Sequence, residues 1–237
     1  MSGIRFCELL TAHTQAAKDQ DHLNFLLSSR ADTPDRTDFI LGRSCADPVP
    51  AMQAEVRRLI EAGASLIAIP CNTAHHFYDR LSAVSEVPVI NIIDQTADFC
   101  RFCGFRRVGV LATEGTVASG AYEQVCRRVG LDYVTCDSED QAVISHMIYE
   151  QIKQGRPAEK EPFLRIADKL RHRGCDTVIL GCTELSLLKR DLGLGEELTD
   201  SLEVLACACL RLCGKEPVGF DDRLMKFFPM KGTAICC

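Results

Sequence analysis

Two cysteines, Cys71 and Cys182, recur in matched settings and together could move a proton at carbon. The first follows the apolar run Leu66-Ile67-Ala68-Ile69-Pro70 and precedes Asn72-Thr73-Ala74-His75. The second follows Thr177-Val178-Ile179-Leu180-Gly181 and precedes Thr183-Glu184. A thiol has an ordinary pKa near 8.5, which a helix N-terminus lowers. A thiolate can serve as a general base and a thiol as a general acid. Placed on opposite sides of one carbon, the pair removes a proton from one face and returns one to the other. That inverts a stereocentre, and the reading calls for no metal and no organic cofactor. Asn72, Thr73 and Thr183 add polar donors beside the sulfurs. Thr113 and Thr116 flank Gly115 at a helix start, where backbone N–H groups can cradle a carboxylate. A lone strand-end Cys is as readily a core residue; the matched pair with polar followers is what argues for chemistry.

The elements that must position these thiols repeat as well. Each apolar run is short and rich in β-branched residues, which reads as a buried strand. An amphipathic helix closing on glycine, at Gly63 and at Gly174, precedes each. The repeated order predicts two equivalent halves that face one cleft. Further strands are expected at Leu23–Leu27, Val87–Ile93, Val108–Ala112 and Leu131–Cys136. Helices are expected at Phe6–Ala17, Pro50–Ala62, Thr73–Val84, Gln95–Cys103, Val117–Val129, Gln141–Gln154, Lys160–Arg173 and Ser201–Cys213. Alternating helices and strands predict an α/β fold: two pseudo-symmetric three-layer α/β/α halves with mostly parallel sheets. The first half is expected to comprise residues 1–97 with 207–237, and the second 98–206. Ligands of such sheets sit beyond the carboxyl ends of the strands, where both cysteines fall. The repeat is unequal in one respect. The second half opens with strand, loop and helix, whereas the first opens directly on the helix, so the first sheet is expected to lack its opening strand.

Composition narrows the class. The chain has 237 residues, 46% of them apolar, enough for one large or two small cores. A net charge of −6 argues against non-specific nucleic-acid binding. Fourteen cysteines in a chain of this length point to reduced thiols and a cytoplasmic setting. No apolar run reaches membrane-spanning length, so no membrane partner is expected. Cys100-x-x-Cys103 could form half a zinc site, but Cys207, Cys209 and Cys213 lack the paired spacing, and helical core packing is the expectation. His75 is expected to support Cys71 or the start of its helix. Residues 228–237 read as a loose tail.

The motifs Cys71-Asn72-Thr73-Ala74-His75 and Gly181-Cys182-Thr183-Glu184 resemble the paired signatures of the aspartate/glutamate racemase superfamily. Its aspartate racemase branch is closer still, through Lys18-Asp19-Gln20-Asp21-His22, Pro34-Asp35-Arg36-Thr37, Leu111-Ala112-Thr113-Glu114-Gly115-Thr116, Ile148-Tyr149-Glu150-Gln151-Ile152-Lys153 and Asp200-Ser201. The resemblance implies cofactor-independent racemisation of L- and D-aspartate by Cys71 and Cys182, in a homodimer. It implies that Arg36 and Lys153 hold the substrate's side-chain carboxylate, which suits the donor fork of arginine. Glu184 joins Asn72, Thr73, Thr113, Thr116 and Thr183 among the substrate-binding residues. Members of the family begin with a strand and a Gly-rich loop, the piece absent from the first half here. Two alternatives stay open: a glutamate or broad-specificity amino-acid racemase, and a truncated, inactive racemase-like binding protein.

Overall fold

The structure is a computed structural model and describes residues 2–195 and 197–229. It is an α/β fold with two parallel sheets, as the alternation predicts. Six strands occur among the described residues: β1 (Ile67–Ala68), β2 (Val89–Ile90), β3 (Arg107–Leu111), β4 (Asp132–Thr135), β5 (Thr177–Leu180) and β6 (Leu198–Asp200). The second sheet has the order β4-β3-β5-β6, while the first is the single pair β1-β2. β5 lies in the middle of a full ladder, with Val108 to Leu111 opposite Thr177 to Leu180 on one side and Val178 opposite Leu198 on the other. Every residue of β5 is buried, which is why it reads as a continuous β-branched run.

Helices cover these sheets. Lys160–His172 packs Phe163, Ile166 and Leu170 onto Leu111, Val178 and Leu180. A second core runs through the helices Ile92–Phe102 and Ser201–Leu212, which contact one another and reach Val108, Val110 and Tyr122. Each of these helices follows the last strand of its half and starts on an equivalent cap. Asn91 accepts from the backbone of Ile93 at 2.9 Å, and Asp200 from that of Leu202 at 2.9 Å.

The expected elements form with several corrections. Leu23–Leu27 is not a strand: residues 22–30 have no regular structure. A strand needs a ladder partner for its backbone N–H and C=O groups, and between this segment and β1 no strand stands. For the same reason the run Leu66–Pro70 is paired only at Ile67 and Ala68. The helix expected at Val117–Val129 starts earlier and breaks at Gly120, whose φ of 66° separates Glu114–Ala118 from Ala121–Val129. The one expected at Gln141–Gln154 becomes Ser138–His146, a wide π-type turn Met147–Gln151 and a tight turn Ile152–Gln154. Thr73–Val84 divides into a 3-10 turn, Thr73–Phe77, and the helix Tyr78–Ser82. The helix expected to follow Cys182 is Thr183–Leu192, whereas the helix Asp222–Lys226 and β6 were not anticipated. Of the tail, residues 230–237 lie outside the described residues; Phe228 lies under the Arg211 guanidinium at 4.0 Å. No described helix is long and apolar enough to cross a membrane.

Candidate active site between the two halves

Cys71 and Cys182 line one cleft, between the halves and at the carboxyl ends of β1 and β5. Cys182 stands at the N-cap of Thr183–Leu192, and Cys71 directly precedes the turn that begins at Asn72. Each thiol therefore sits at the start of a helical segment, as the sequence suggests.

The backbone of Cys71 is held by side chains. His75 Nδ1 donates to the Cys71 carbonyl at 2.9 Å, and the Ile92 N–H donates to His75 Nε2 at 3.3 Å. Nε2 also lies 3.3 Å from the Ile90 carbonyl oxygen, and accepting the Ile92 N–H instead requires a neutral ring with its proton on Nδ1. Burial lowers the His75 pKa in the same sense. Asn72, only 2% exposed, donates to Ser201 Oγ at 3.0 Å and accepts from the Tyr122 hydroxyl at 2.8 Å. Ser201 in turn donates to the Leu180 carbonyl at 2.7 Å, two residues before Cys182. One buried network thus joins the backbone at both sulfurs. Thr73, Thr113 and Thr116 form a second link, with hydroxyl pairs at 2.9 to 3.0 Å. Thr113 also caps its helix by accepting from the Thr116 N–H at 3.1 Å. Gly115 lets this helix approach the first half, since a Cβ there would stand 2.8 Å from the Thr37 backbone.

The charges around the two sulfurs are opposite. The Arg36 guanidinium faces Cys71 and donates to the carbonyls of Pro34, at 3.1 Å, and Thr33, at 3.4 Å. Burial works against its charge, but Cys71, Asp35 and Glu184 outweigh burial and leave its pKa raised. Cys182 instead donates its S–H to Glu184 Oε2 at 3.0 Å. Burial first, and then the Glu184 carboxylate, push the Cys182 pKa well above its ordinary value. The expectation of an easily formed thiolate is therefore corrected for Cys182: its helix N-terminus is outweighed, and at neutral pH it is a thiol. Glu184 also receives bonds from Ser2 Oγ at 3.3 Å and Thr183 Oγ1 at 3.4 Å.

Nine of the ten residues singled out from the sequence line the cleft: Cys71, Cys182, Arg36, Asn72, Thr73, Thr113, Lys153, Thr183 and Glu184. Thr116 is the correction. It stands behind Thr113, outside the cleft lining, because its hydroxyl is turned into the threonine cluster. The structure adds Asp35, Thr37 and Tyr149. Tyr149 donates to Thr37 Oγ1 at 2.8 Å and carries the Lys153 ammonium 3.9 Å from its ring centre. Lys153 Nζ lies 4.0 Å from Asp35 Oδ2. Both Tyr149 and Thr37 sit inside motifs read from the sequence, but no spacing rule links residues 112 positions apart. The cavity itself is small, about 20 Å³, room for about one water.

Comparison with known proteins places this fold. A solved structure of the aspartate racemase of Picrophilus torridus is similar, with a TM-score of 0.78 and 27% identity over 95% of this chain and 94% of that one. An aspartate racemase homologue from Pyrococcus horikoshii shares the fold, with a TM-score of 0.67 and 24% identity over 89% of this chain and 90% of that one. Among curated sequences, the broad specificity amino-acid racemase RacX of Bacillus subtilis is 28% identical over 63% of this chain. A glutamate racemase of Shewanella loihica is 26% identical over 65% of it. The matched stretch spans only 65% and 59% of those two relatives' own lengths. The family model for Asp/Glu/hydantoin racemases matches residues 1–209, and with nearly the whole described chain inside it, this chain belongs to that family.

Proposed function

We propose that this chain is an amino-acid racemase that interconverts L- and D-aspartate by proton transfer at the α-carbon through Cys71 and Cys182. One observation carries the reading: two thiols line one cleft in opposite electrostatic settings, one facing a guanidinium and the other donating to a carboxylate. Cys71 is then placed to act as base and Cys182 as acid. Cys71, beside Arg36, takes the α-proton. The Cys182 thiol, held protonated against Glu184, delivers a proton to the opposite face of the planar carbanion. The reverse reaction exchanges the roles. Two thiols suffice for both transfers, so the mechanism uses no cofactor. Asn72, Thr73, Thr113 and Thr183 supply donors for the α-carboxylate and ammonium groups.

Aspartate is favoured over an uncharged amino acid because Arg36 and Lys153 both reach the cleft and can hold a second carboxylate. With about 20 Å³ available, binding requires the cleft to open. Homodimeric assembly in a reducing, cytoplasmic setting belongs to the same reading, and sedimentation of the reduced protein tests the assembly.

The experiment is exchange of the aspartate α-proton in heavy water, with Cys71→Ser and Cys182→Ser as controls. Exchange that survives both substitutions rules out the two-thiol mechanism. Lys153→Ala should depress aspartate turnover far more than alanine turnover; equal loss rejects its assigned role, and preference for glutamate over aspartate rejects the substrate. A second reading, a binding protein without turnover, is favoured by the closed cleft and the two-residue strands of the first sheet. A folded protein that binds aspartate but exchanges no proton would establish it.

A further inference from the structure

Both thiol-bearing segments converge on two adjacent residues that do not line the cleft, Asp200 and Ser201. Asp200 ends β6, and Ser201 begins the helix Ser201–Leu212; both are buried. The β6 ladder sets Asp200 opposite Leu180 of β5. The Asp200 carboxylate caps the helix, which fixes the turn between strand and helix. Ser186, four residues after Cys182, donates to Asp200 Oδ1 at 2.6 Å. Ser201 donates to the carbonyl of Leu180, two residues before Cys182, at 2.7 Å. Neighbouring residues thus hold the chain on both sides of Cys182.

The first half repeats only part of this arrangement. His75, four residues after Cys71, meets the Ile92 N–H at the start of the helix capped by Asn91. Ile92 holds the place after the cap that Ser201 holds in the second half, and it has no hydroxyl. Ser201 therefore adds a bond with no counterpart in the repeat. Its Oγ accepts from Asn72 Nδ2 at 3.0 Å, and Asn72 directly follows Cys71. A hydroxyl can donate once and accept as well, so a single oxygen stands between the two thiol-bearing segments. The threonine cluster also joins the halves, but through Thr113, which follows β3 rather than β5.

Proton transfer by two groups depends on their spacing. Both sulfurs must reach one carbon from opposite faces, and a misplacement of about 1 Å can cost about 100-fold in rate. We propose that Ser201 is a positioning residue of the racemisation, its hydroxyl setting the separation of the two sulfurs by tying Asn72 to Leu180. That role rests on the two-thiol reading proposed above. Because Ser201 does not line the cleft, its effect falls on the chemical step and not on substrate binding.

The test compares Ser201→Ala with Thr199→Val in the full chain. Each removes one buried hydroxyl beside β5, but Thr199 bonds Thr177 inside the second sheet. Ser201→Ala should lower kcat for aspartate about 10- to 100-fold in both directions, with KM changed less than about threefold. Thr199→Val should leave kcat and KM within about twofold of the unaltered protein. Amide hydrogen exchange adds a readout that does not need turnover. Ser201→Ala should speed exchange at residues 71–75 about tenfold, whereas Thr199→Val should leave those residues unchanged. Ser201→Cys keeps the side-chain volume with a weaker donor and should show the same signature at smaller amplitude, which keeps the test open if the alanine variant does not fold. Equal kcat losses at positions 199 and 201, a change in KM alone, or unaltered exchange at residues 71–75 in the position 201 variants overturns the proposal. An unaltered protein that exchanges no α-proton overturns the two-thiol reading itself, whereas an active protein whose position 201 variants keep full kcat overturns this proposal alone.

Discussion

The two halves present the same functional group by different means. In the second, Cys182 follows a strand held on both edges, by β3 and by β6. In the first, Cys71 follows a strand paired at two residues and on one edge only. A ladder fixes the backbone through many local bonds. The first half replaces it with side-chain bonds from His75, Asn72 and Thr73, all buried and all reaching other elements. Buried polar networks of this sort hold position well when complete, and lose much when one member goes. Position at Cys71 is thus bought with a few buried side chains, whereas at Cys182 it is spread over a sheet.

The largest expected effect tests whether the halves are functionally equal. Cys71→Ser and Cys182→Ser should each cut racemisation by about 10²- to 10⁴-fold, read as turnover in both directions. A loss confined to one variant breaks the two-thiol symmetry. Next comes the contrast in how the thiols are held. Asn72→Ala removes the donor to Ser201 Oγ and the acceptor of the Tyr122 hydroxyl, and should cost about 1–3 kcal/mol of stability by denaturant titration. Thr199→Val, which removes the Thr177 hydroxyl's 2.9 Å partner beside the intact β5 ladder, should cost less, about 1 kcal/mol. Equal costs would mean that the network is not what anchors the first half.

Gly115→Ala probes the seam. Its Cβ would meet the Thr37 backbone at 2.8 Å, so the helix Glu114–Ala118 and the short helix Arg36–Ile40 must part. A loss of about 1–3 kcal/mol is expected, with a raised KM for aspartate, as for overpacking elsewhere. The smallest effect is on pH. The pKa of Cys182 is raised, so it becomes a base only at higher pH, and the direction that uses it as base should fall off first as pH drops. Glu184→Gln removes one cause of that shift and should move this limb of kcat to lower pH, leaving the opposite direction less affected. An unchanged limb in both directions would show that Glu184 does not hold the Cys182 proton.

The active cleft also explains why some residues were legible and others were not. Cys71, Cys182 and their neighbours announce themselves through a strand-end position repeated in two places. Lys153 and Arg36 were readable only through resemblance, since a loop arginine and a turn lysine carry no periodic signal. Tyr149 reaches the site because the chain leaves regular helical geometry at Met147–Gln151, a departure that helical periodicity does not encode. The Glu184 bond to Cys182 joins residues two apart, yet its effect on the thiol depends on how deeply the pair is buried.

Local pattern alone determined the α/β class, the strand Thr177–Leu180 and the strand-end placement of both thiols, because β-branched runs, glycine stops and amphipathic spacing act within a few residues. Tertiary structure decided which apolar runs became strands. Leu23–Leu27 has the composition of a strand and no ladder to join, because pairing depends on a neighbour that sequence-local preference cannot supply. It also decided the electrostatic contrast between the two sulfurs, since charge in a buried cleft is set by what folds against it: Arg36 over Cys71, Glu184 over Cys182.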